Sequence, residues 1–240
     1  MAATEKKVKK EEEPLRVAVL DRALLLMDAF GKQPRALSLA DLADLSDLHK
    51  STILRLLISL EDFGYVRRRQ DGLYTVGPTM FRLGTQYEKS QTGRAILLPA
   101  LEALVQAGTE SASFHVLDGE RRLCLYRVDS HHSTLDTVAA GKHYPLEQGA
   151  AGRILRTYAD DQGRTQGEPR FVVEISKGER DPACWAVAAP VYGRDNVLLG
   201  AISLSGPKER FTKANIAFMS QLLLDSARRC SQDAVSIRQM

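Results

Sequence analysis

The chain has 240 residues, 44% of them hydrophobic, and a formal net charge of +3. That is enough for two modest domains, each burying its own core. The charge is too small to imply nucleic-acid binding by itself, and no run of about eighteen apolar residues predicts a membrane-crossing helix. The three cysteines, Cys124, Cys184 and Cys230, are an odd number at wide spacing, which argues against a disulfide framework and suits a reducing cytosol.

Residues 1–14 mix lysines with Glu11-Glu12-Glu13 and lack an apolar stretch, so they are expected to form a disordered tail and not a secretion signal. Leu15 to Phe30 predicts a helix with a core stripe of Val19, Leu20, Ala23, Leu24, Met27 and Phe30. Leu25 and Leu26 widen that stripe, which fits either a thick core helix or one that partly faces a second subunit. Gly31 and Pro34 break the chain. Ser38 then stands as N-cap to a helix burying Leu39, Leu42 and Ala43. A turn at Ser46-Asp47-Leu48 leads to a second helix from about His49, with Ile53, Leu56, Leu57 and Leu60 at i, i+3, i+4 and i+7. Its opposite face carries Lys50, Ser51, Leu54, Arg55 and Ile58. Gly64 is placed as the C′ residue, Tyr65-Val66 begins a strand, and Asp71-Gly72 is a hairpin turn. Helix, turn, helix and hairpin over residues 15–77 make a winged helix-turn-helix, whose second helix has the size of a DNA major groove.

The charge distribution agrees with that assignment. Lys50, Arg55, Arg67, Arg68, Arg69 and Arg82 outweigh Glu61, Asp62 and Asp71, while Asp41, Asp44 and Asp47 crowd the preceding helix and turn. A field localised on one helix and wing steers toward phosphate even in a near-neutral protein. Ser51 and Thr52 lie at the helix start, where hydroxyls and backbone N–H groups grip phosphate. Arg55 reaches a base edge, guanine by preference, or another phosphate, with Lys50 and His49 flanking it and Leu54 suited to a thymine methyl. The plainer reading of each is a capping or surface residue. Arg67, Arg68 and Arg69 alternate faces on a strand, so one or two of them would meet phosphate.

Residues 78–92 predict a linker helix with an apolar set of Met80, Phe81, Leu83 and Tyr87, either a connector or a surface for the same element of a partner chain. Residues 93–240 form the second domain. Ile96 to Ala107 reads as a helix with Leu97, Leu101, Leu104 and Val105 inward and Pro99 near its start. Ser113–Leu117 and Leu123–Val128 form a hairpin about Asp118-Gly119. Thr134–Ala140 is expected as a third strand, Gly141–Leu146 as a loop and Gly149–Tyr158 as a short helix. Three strands follow over Arg170–Ser176, Trp185–Tyr192 and Val197–Ser205. A closing helix begins at Phe211-Thr212 with Ile216, Met219, Leu222 and Leu223 inward. About six strands with helices on one face make an α+β domain.

A binding site is legible in the small residues of that domain. Gly149-Ala150-Ala151-Gly152 opens a helix with backbone N–H groups accessible to an anion. Ser203 and Ser205 share one strand face, as do Cys184 and Ala186, with Trp185 opposite. The same residues would also permit close helix–sheet packing.

Leu48-His49-Lys50-Ser51-Thr52-Ile53-Leu54-Arg55-Leu56-Leu57, followed by Leu60-Glu61-Asp62-Phe63-Gly64-Tyr65-Val66, resembles the DNA-binding module of IclR-type bacterial transcriptional regulators. Gly141…Pro145-Leu146…Ala151-Gly152-Arg153, Ala188-Ala189-Pro190-Val191 and Ala201-Ile202-Ser203-Leu204-Ser205-Gly206-Pro207 resemble the GAF-like effector domain of the same regulators. The resemblance implies an α+β multidomain fold, with an N-terminal winged helix-turn-helix joined by a linker helix to a C-terminal GAF-like antiparallel-sheet domain with helices. It implies a cytoplasmic homodimer or dimer of dimers on a palindromic double-stranded operator, acting as repressor or activator. A small-molecule effector, often an organic or aromatic acid from catabolism, would control it, with no cofactor or metal and no membrane. Carried over by position, the family's pocket falls on Ala150, Ala151, Ala186, Ser203 and Ser205, with Cys184 beside them.

Two places depart from the family. The polar stretch from Arg156 to Arg170 is short, and Glu147 stands where a histidine is common, so its carboxylate would repel an anionic ligand if it pointed inward. Two other functions compete with that of a regulator. His115, His131, His132, His143, the cysteines and Asp136 could suggest an enzyme, but no HxxxH or CxxC spacing supports a metal site, and no Gly-x-Ser-x-Gly elbow surrounds Ser203 or Ser205. A winged helix acting through protein contacts without a working effector pocket is the other alternative, against which the clustered arginines and the Lys-Ser-Thr-x-x-Arg run argue.

Overall fold

A computed structural model describes residues 16–90, 93–130, 138–159 and 170–236. The chain divides into two compact units, residues 1–86 and 87–240, and each is described by itself. The expected N-terminal tail, His131 and His132, and most of the short polar stretch between Arg156 and Arg170 lie outside the described residues.

The first unit contains α1 (Ala18–Gly31), α2 (Leu39–Ser46), α3 (Lys50–Asp62), the strands β1 (Val66–Arg68) and β2 (Tyr74–Val76), and the start of α4 (Pro78–Ser90). Ser38 begins α2 with a full capping box: its hydroxyl accepts the Asp41 N–H at 3.1 Å, and the Asp41 carboxylate accepts the Ser38 N–H at 2.8 Å. Arg35 adds two further bonds to that carboxylate, at 3.1 and 2.8 Å, and with Ser38 it holds Asp41 well below the usual carboxylate range. Asp47, left-handed at φ 57°, ends α2 and makes the sharp turn into α3. β1 and β2 pair antiparallel with Val66 opposite Val76 and Arg68 opposite Tyr74. Leu37 bridges to Tyr74 and ties the wing to the approach to α2. The core is Leu26, Ala29, Phe30, Leu37, Leu42, Ile53, Leu57, Val66 and Tyr74.

The core stripe expected on α1 is corrected by this packing. Leu26, Ala29 and Phe30 face the core, whereas Val19, Leu20, Leu24 and Leu25 are each more than half exposed. Leucines lie on more than one face of this helix, with Asp21, Arg22 and Asp28 between them, so periodicity could not select a face. Only its last two turns reach the α2–α3 core. On α4, Met80, Phe81, Leu83 and Tyr87 are likewise exposed.

The second unit runs through α5 (Gly93–Gln106), β3 (Ser111–Asp118), β4 (Arg121–Asp129), β5 (His143–Pro145), α6 (Ala150–Tyr158), β6 (Glu174–Lys177), β7 (Cys184–Tyr192), β8 (Leu198–Pro207) and α7 (Lys213–Ser236). Its six strands form one antiparallel sheet in the order β5-β4-β3-β8-β7-β6. Phe114, Val187, Ala189, Val191, Ile202 and Leu204 bury one face against Leu97, Leu101 and Leu104 of α5 and Met219, Leu223, Ala227 and Cys230 of α7. On the opposite face, Ala188 and Ala201 meet Ala150, Ala151, Ile154 and Leu155 of α6. Helices therefore cover both faces of the sheet, not one as expected. Ala188 and Ala201 on the second face leave room for α6 to approach the sheet closely.

Four local expectations also change. Residues 134–137 of the expected third strand lie outside the described residues, and 138–140 form no strand. The strand at that edge is instead β5, within the expected loop, pairing His143–Pro145 with Arg121–Leu123. Its Pro145 fits an edge position, where no partner needs the missing N–H. β6 begins at Glu174 and not at Arg170; Phe171 and Val173 pack into the cores without joining the ladder. Pro99 lies inside α5, which starts at Gly93, so it interrupts the helical hydrogen bonds instead of occupying the first turn.

Candidate functional site

On α3 the face opposite the core is built as the apolar spacing requires. Ile53 and Leu57 are buried, and Lys50, Ser51, Leu54, Arg55 and Ile58 are exposed. His49 is the N-cap and makes no side-chain cap, so its imidazole is left at the helix entrance. Thr52 is half-buried, and its N–H already donates to the His49 carbonyl at 2.9 Å. Its hydroxyl is therefore the group left for a phosphate. Ser51 and Arg55 form one exposed i, i+4 ridge, and Leu54 and Ile58 form an apolar ridge beside it. Ile58 is 61% exposed and was not among the expected contact residues.

The wing arginines are all exposed but differ in freedom. The Arg68 guanidinium lies over the Tyr74 ring, 5.7 Å from its centroid. Arg69 pairs with Asp71 at 3.0 Å. Arg67, across from Thr75, has no ion-pair partner among the described residues, so it is the wing cation most open to a phosphate.

The second unit encloses a cavity of about 40 Å³, and all six expected effector residues, Ala150, Ala151, Cys184, Ala186, Ser203 and Ser205, line it. The strand register explains the convergence. Ser203 stands opposite Ser113 and Ala188, and Ser205 opposite Ser111 and Ala186, with Ser176 opposite Ala186 in turn. Cross-strand partners project to the same side, so small and polar side chains line the α6 face. The Ser205 and Ser111 hydroxyls lie 3.0 Å apart. The Ser203 and Ser176 hydroxyl groups belong to residues 4% and 5% exposed, line the cavity, and have no hydrogen bond among the described residues.

The polar residues of this wall that the sequence did not assign to it include Ser113, His115, Arg122, Ser176, Glu179, Arg180 and Asp181. Ser111, Ser113 and His115 alternate with Ala112, Phe114 and Val116, so a polar strand face was there to be read. His115 Nε2 lies 3.0 Å from Ser113 Oγ, and its Nδ1 lies 3.1 Å from Arg122 Nη1. Arg122 Nη1 also lies 3.4 Å from Nε2, and a guanidinium cannot accept, so the imidazole accepts from Arg122 through a ring nitrogen. Burial, and then the charges of Arg122, Arg127 and Arg180, push the His115 pKa well down, so the ring is neutral. Arg122 is 4% exposed; it also donates to the Pro145 carbonyl at 3.3 Å and lies over the Tyr144 ring at 5.1 Å.

The N-terminus of α6 is not open in the way the sequence suggested. Gly149 N–H donates to Glu179 at 2.8 Å. Arg153 of α6 bonds the other Glu179 oxygen and pairs with Glu174 at 3.0 Å. Burial raises the Glu179 pKa, but Arg153 and the Gly149 N–H outweigh it and hold the carboxyl below its ordinary range. Glu147 is exposed and does not line the cavity, so the expected repulsion of an anionic ligand has no source there. His143 sits on the exposed sheet edge, 2.6 Å from Asp118, away from the buried His115. A larger open groove of about 770 Å³ between α5 and α7, lined by Ile96, Pro99, Leu222 and Arg229 among others, holds none of the expected residues. No helix among the described residues is long and apolar enough to cross a membrane.

A winged helix with an exposed reading face that carries Lys50 and Arg55, on one chain with a sheet domain that holds a small polar cavity, defines the class of DNA-binding transcriptional regulators with a second, sensory-type domain. Residues 19–70 match the family model of the IclR helix-turn-helix domain, and residues 173–232 match that of the bacterial transcriptional regulator IclR C-terminal domain. The chain carries both domains of the family and is an IclR-type transcriptional regulator. It is 26% identical to the HTH-type transcriptional regulator BhcR of Paracoccus denitrificans over 90% of this chain and 86% of that protein. It is 24% identical to the Pca operon regulatory protein of Acinetobacter baylyi over 94% of this chain and 91% of that protein. Among solved structures, an IclR homolog from Microbacterium hydrocarbonoxydans complexed with 4-hydroxybenzoate superposes with a TM-score of 0.76 at 18% identity, covering 90% of this chain and 98% of that one. The matched relatives named here are regulators of transcription, not enzymes.

Proposed function

We propose that this regulator works in the cytoplasm as a homodimer or dimer of dimers, reading a palindromic operator through paired α3 helices. Ser51, Thr52, Lys50 and one or two wing arginines, Arg67 foremost, bind phosphate. Arg55 reads a base edge, Leu54 meets a thymine methyl, and His49 flanks the helix entrance. A small organic acid in the cavity lined by Ala150, Ala151, Cys184, Ala186, Ser203 and Ser205 favours one arrangement of the assembly and so changes DNA affinity by linkage.

The observation that carries this reading is the separation of chemistry: a solvent-facing helix face with Lys50 and Arg55 on one unit and a small hydroxyl-lined cavity on the other. The test is binding of the purified protein to DNA upstream of its own gene, across a salt series, for the wild type and Arg55→Ala. Specific, salt-dependent binding weakened by the substitution supports the reading. Binding that is weak, blind to sequence and unaffected by the substitution, on this and a panel of other promoters, overturns it.

A further inference from the structure

The most exposed apolar side chain of α3 takes no part in the core of its own unit. Ile58 is 61% exposed and Leu54 44%, while Ile53 and Leu57 of the same helix are buried. With 3.6 residues per turn, Ile58 lies about 40° round the helix from Leu54 and about 60° from Arg55. It therefore stands between them on the outward face. The unit's core makes no use of it, and a β-branched residue is a weaker helix former than the lysine, glutamate or arginine that suit a solvated position. Single exposed aliphatics are ordinary on protein surfaces. Two at i, i+4 with cations beside them form a surface with a definite chemistry. Lys50 and Arg55, both exposed, flank the ridge, whereas Glu61 and Asp62 close the helix at its far end. The part of α3 that attracts phosphate thus stops short of the carboxylates, and Ile58 is the last apolar group on the outward face before them.

We infer that Ile58 is a specificity-determining residue, which with Leu54 reads a pair of thymine methyl groups in the operator. This rests on the reading of α3 as the helix that enters the major groove. The 5-methyl of thymine is the apolar group that the unmodified base pairs show there, so it is the sequence feature an aliphatic ridge can read. Spacing sharpens the assignment. From Leu54 to Ile58 the helix rises about 6 Å, and successive bases of a strand lie about 3.4 Å apart, so the two methyls fall within two base-pair steps. Isoleucine suits the task because a helix holds its χ1 close to one rotamer, and little freedom is lost on contact. The half-site is then mixed, with a guanine under Arg55, two thymines under the ridge, and Ser51, Thr52 and Lys50 on the phosphates. A second copy of this chain fits the ridge less well than DNA. A symmetric contact there would bring the Lys50 and Arg55 charges of both chains together, and like charges facing across an interface are repulsive.

The experiment begins by selecting the operator from a random duplex pool with the full chain. Each thymine of the enriched sequence is then replaced in turn by deoxyuridine, which removes the 5-methyl and nothing else. Fluorescence anisotropy should find two thymines in each half-site, no more than two base-pair steps apart, at which loss of the methyl weakens binding about fourfold. Ile58→Ala should abolish the response at one of them and Leu54→Ala at the other. The scan on the wild type needs no variant, so it stands even if a substitution disturbs the helix. A wild-type scan without such a pair, or a pair of responses that both persist in Ile58→Ala, would overturn the assignment. So would an Ile58→Ala chain that keeps the full scan but shows a lower apparent mass in sedimentation, which gives the ridge to a protein contact. The operator reading fails in a different way. A pool that yields no enriched sequence removes specific recognition and the assignment with it. An enriched sequence weakened by Arg55→Ala but indifferent to every methyl leaves recognition standing and sinks the ridge alone.

Discussion

Nη1 of Arg122 lies 3.1 Å from Nδ1 of His115, and both residues are almost wholly buried. The guanidinium Nη1 lies 3.4 Å from Nε2 as well, so it meets the ring along the side that carries both nitrogens. A second proton on the imidazole would face this permanent cation and is disfavoured.

A pH dependence follows from that pair. An unfolded imidazole titrates at about 6.5, and in the folded chain burial and the neighbouring Arg122, Arg127 and Arg180 push His115 well below that. Below about pH 6.5 the unfolded state therefore binds a proton that the native state does not. Stability rises with pH up to about 6.5 and is level above it as far as this group is concerned. Denaturant melts from pH 7.5 to 5 should show the C-terminal unit losing stability as pH falls. His115→Gln should flatten that slope, and an unchanged slope in the variant would show that His115 is not its source.

The capping box at α2 makes a local prediction. Ser38→Ala removes one acceptor for the Asp41 N–H and one donor to its carboxylate. Loss of an N-cap hydroxyl costs about 1 kcal/mol. Amide hydrogen exchange over residues 39–46 should accelerate by a factor of about 5, while the sheet of the second unit is unaffected. Ser38→Thr, which keeps both the acceptor and the donor, should restore most of the protection.

The wing arginines should separate on DNA. Arg67→Ala is expected to reduce the slope of log affinity against log salt by about 0.9. Arg69→Ala should reduce it less, because Asp71 already pairs with Arg69 at 3.0 Å. Arg55→Ala should instead relax sequence preference, at a cost of about 1–3 kcal/mol on the best operator. Fluorescence anisotropy with operator and scrambled duplexes over a salt series measures both quantities. Equal slopes for the two wing variants would remove the distinction drawn between them.

Two leucines of α1 should behave oppositely. Leu26 is fully buried, and Leu24 is 56% exposed. Leu26→Ala should destabilise the N-terminal unit by about 2–5 kcal/mol. Leu24→Ala should leave its unfolding midpoint nearly unchanged and, if this face meets a second chain, lower the apparent mass in sedimentation at micromolar concentration. A large loss of stability from Leu24→Ala alone would mean that the exposed face belongs to the unit's own fold.

Much of the architecture was carried by local pattern. Ser38 with Asp41, the i, i+3, i+4, i+7 spacing from Ile53 to Leu60, and Gly64 and Gly72 at positive φ each act within a few residues, so the winged helix was legible in order and nearly in extent. The same holds for the β3–β4 hairpin and for the pairing of Ser203 with Ser205 on one face. What needed the tertiary structure was every choice between equivalent faces or partners. α1 carries leucines on more than one face, with Asp21, Arg22 and Asp28 between them, and only contact with α2 and α3 selects Leu26 over Leu24. β5 is three residues long and exists because β4 offers it an edge. α6 covers the second sheet face because alanines on β7 and β8 let it approach. Arg122 joins the cavity from a strand on the far side of β3, through a register that no local spacing encodes. Short-range sterics and hydrogen bonds thus wrote the elements into the sequence, while the polar wall of the cavity came from long-range strand pairing, which brings together residues far apart along the chain.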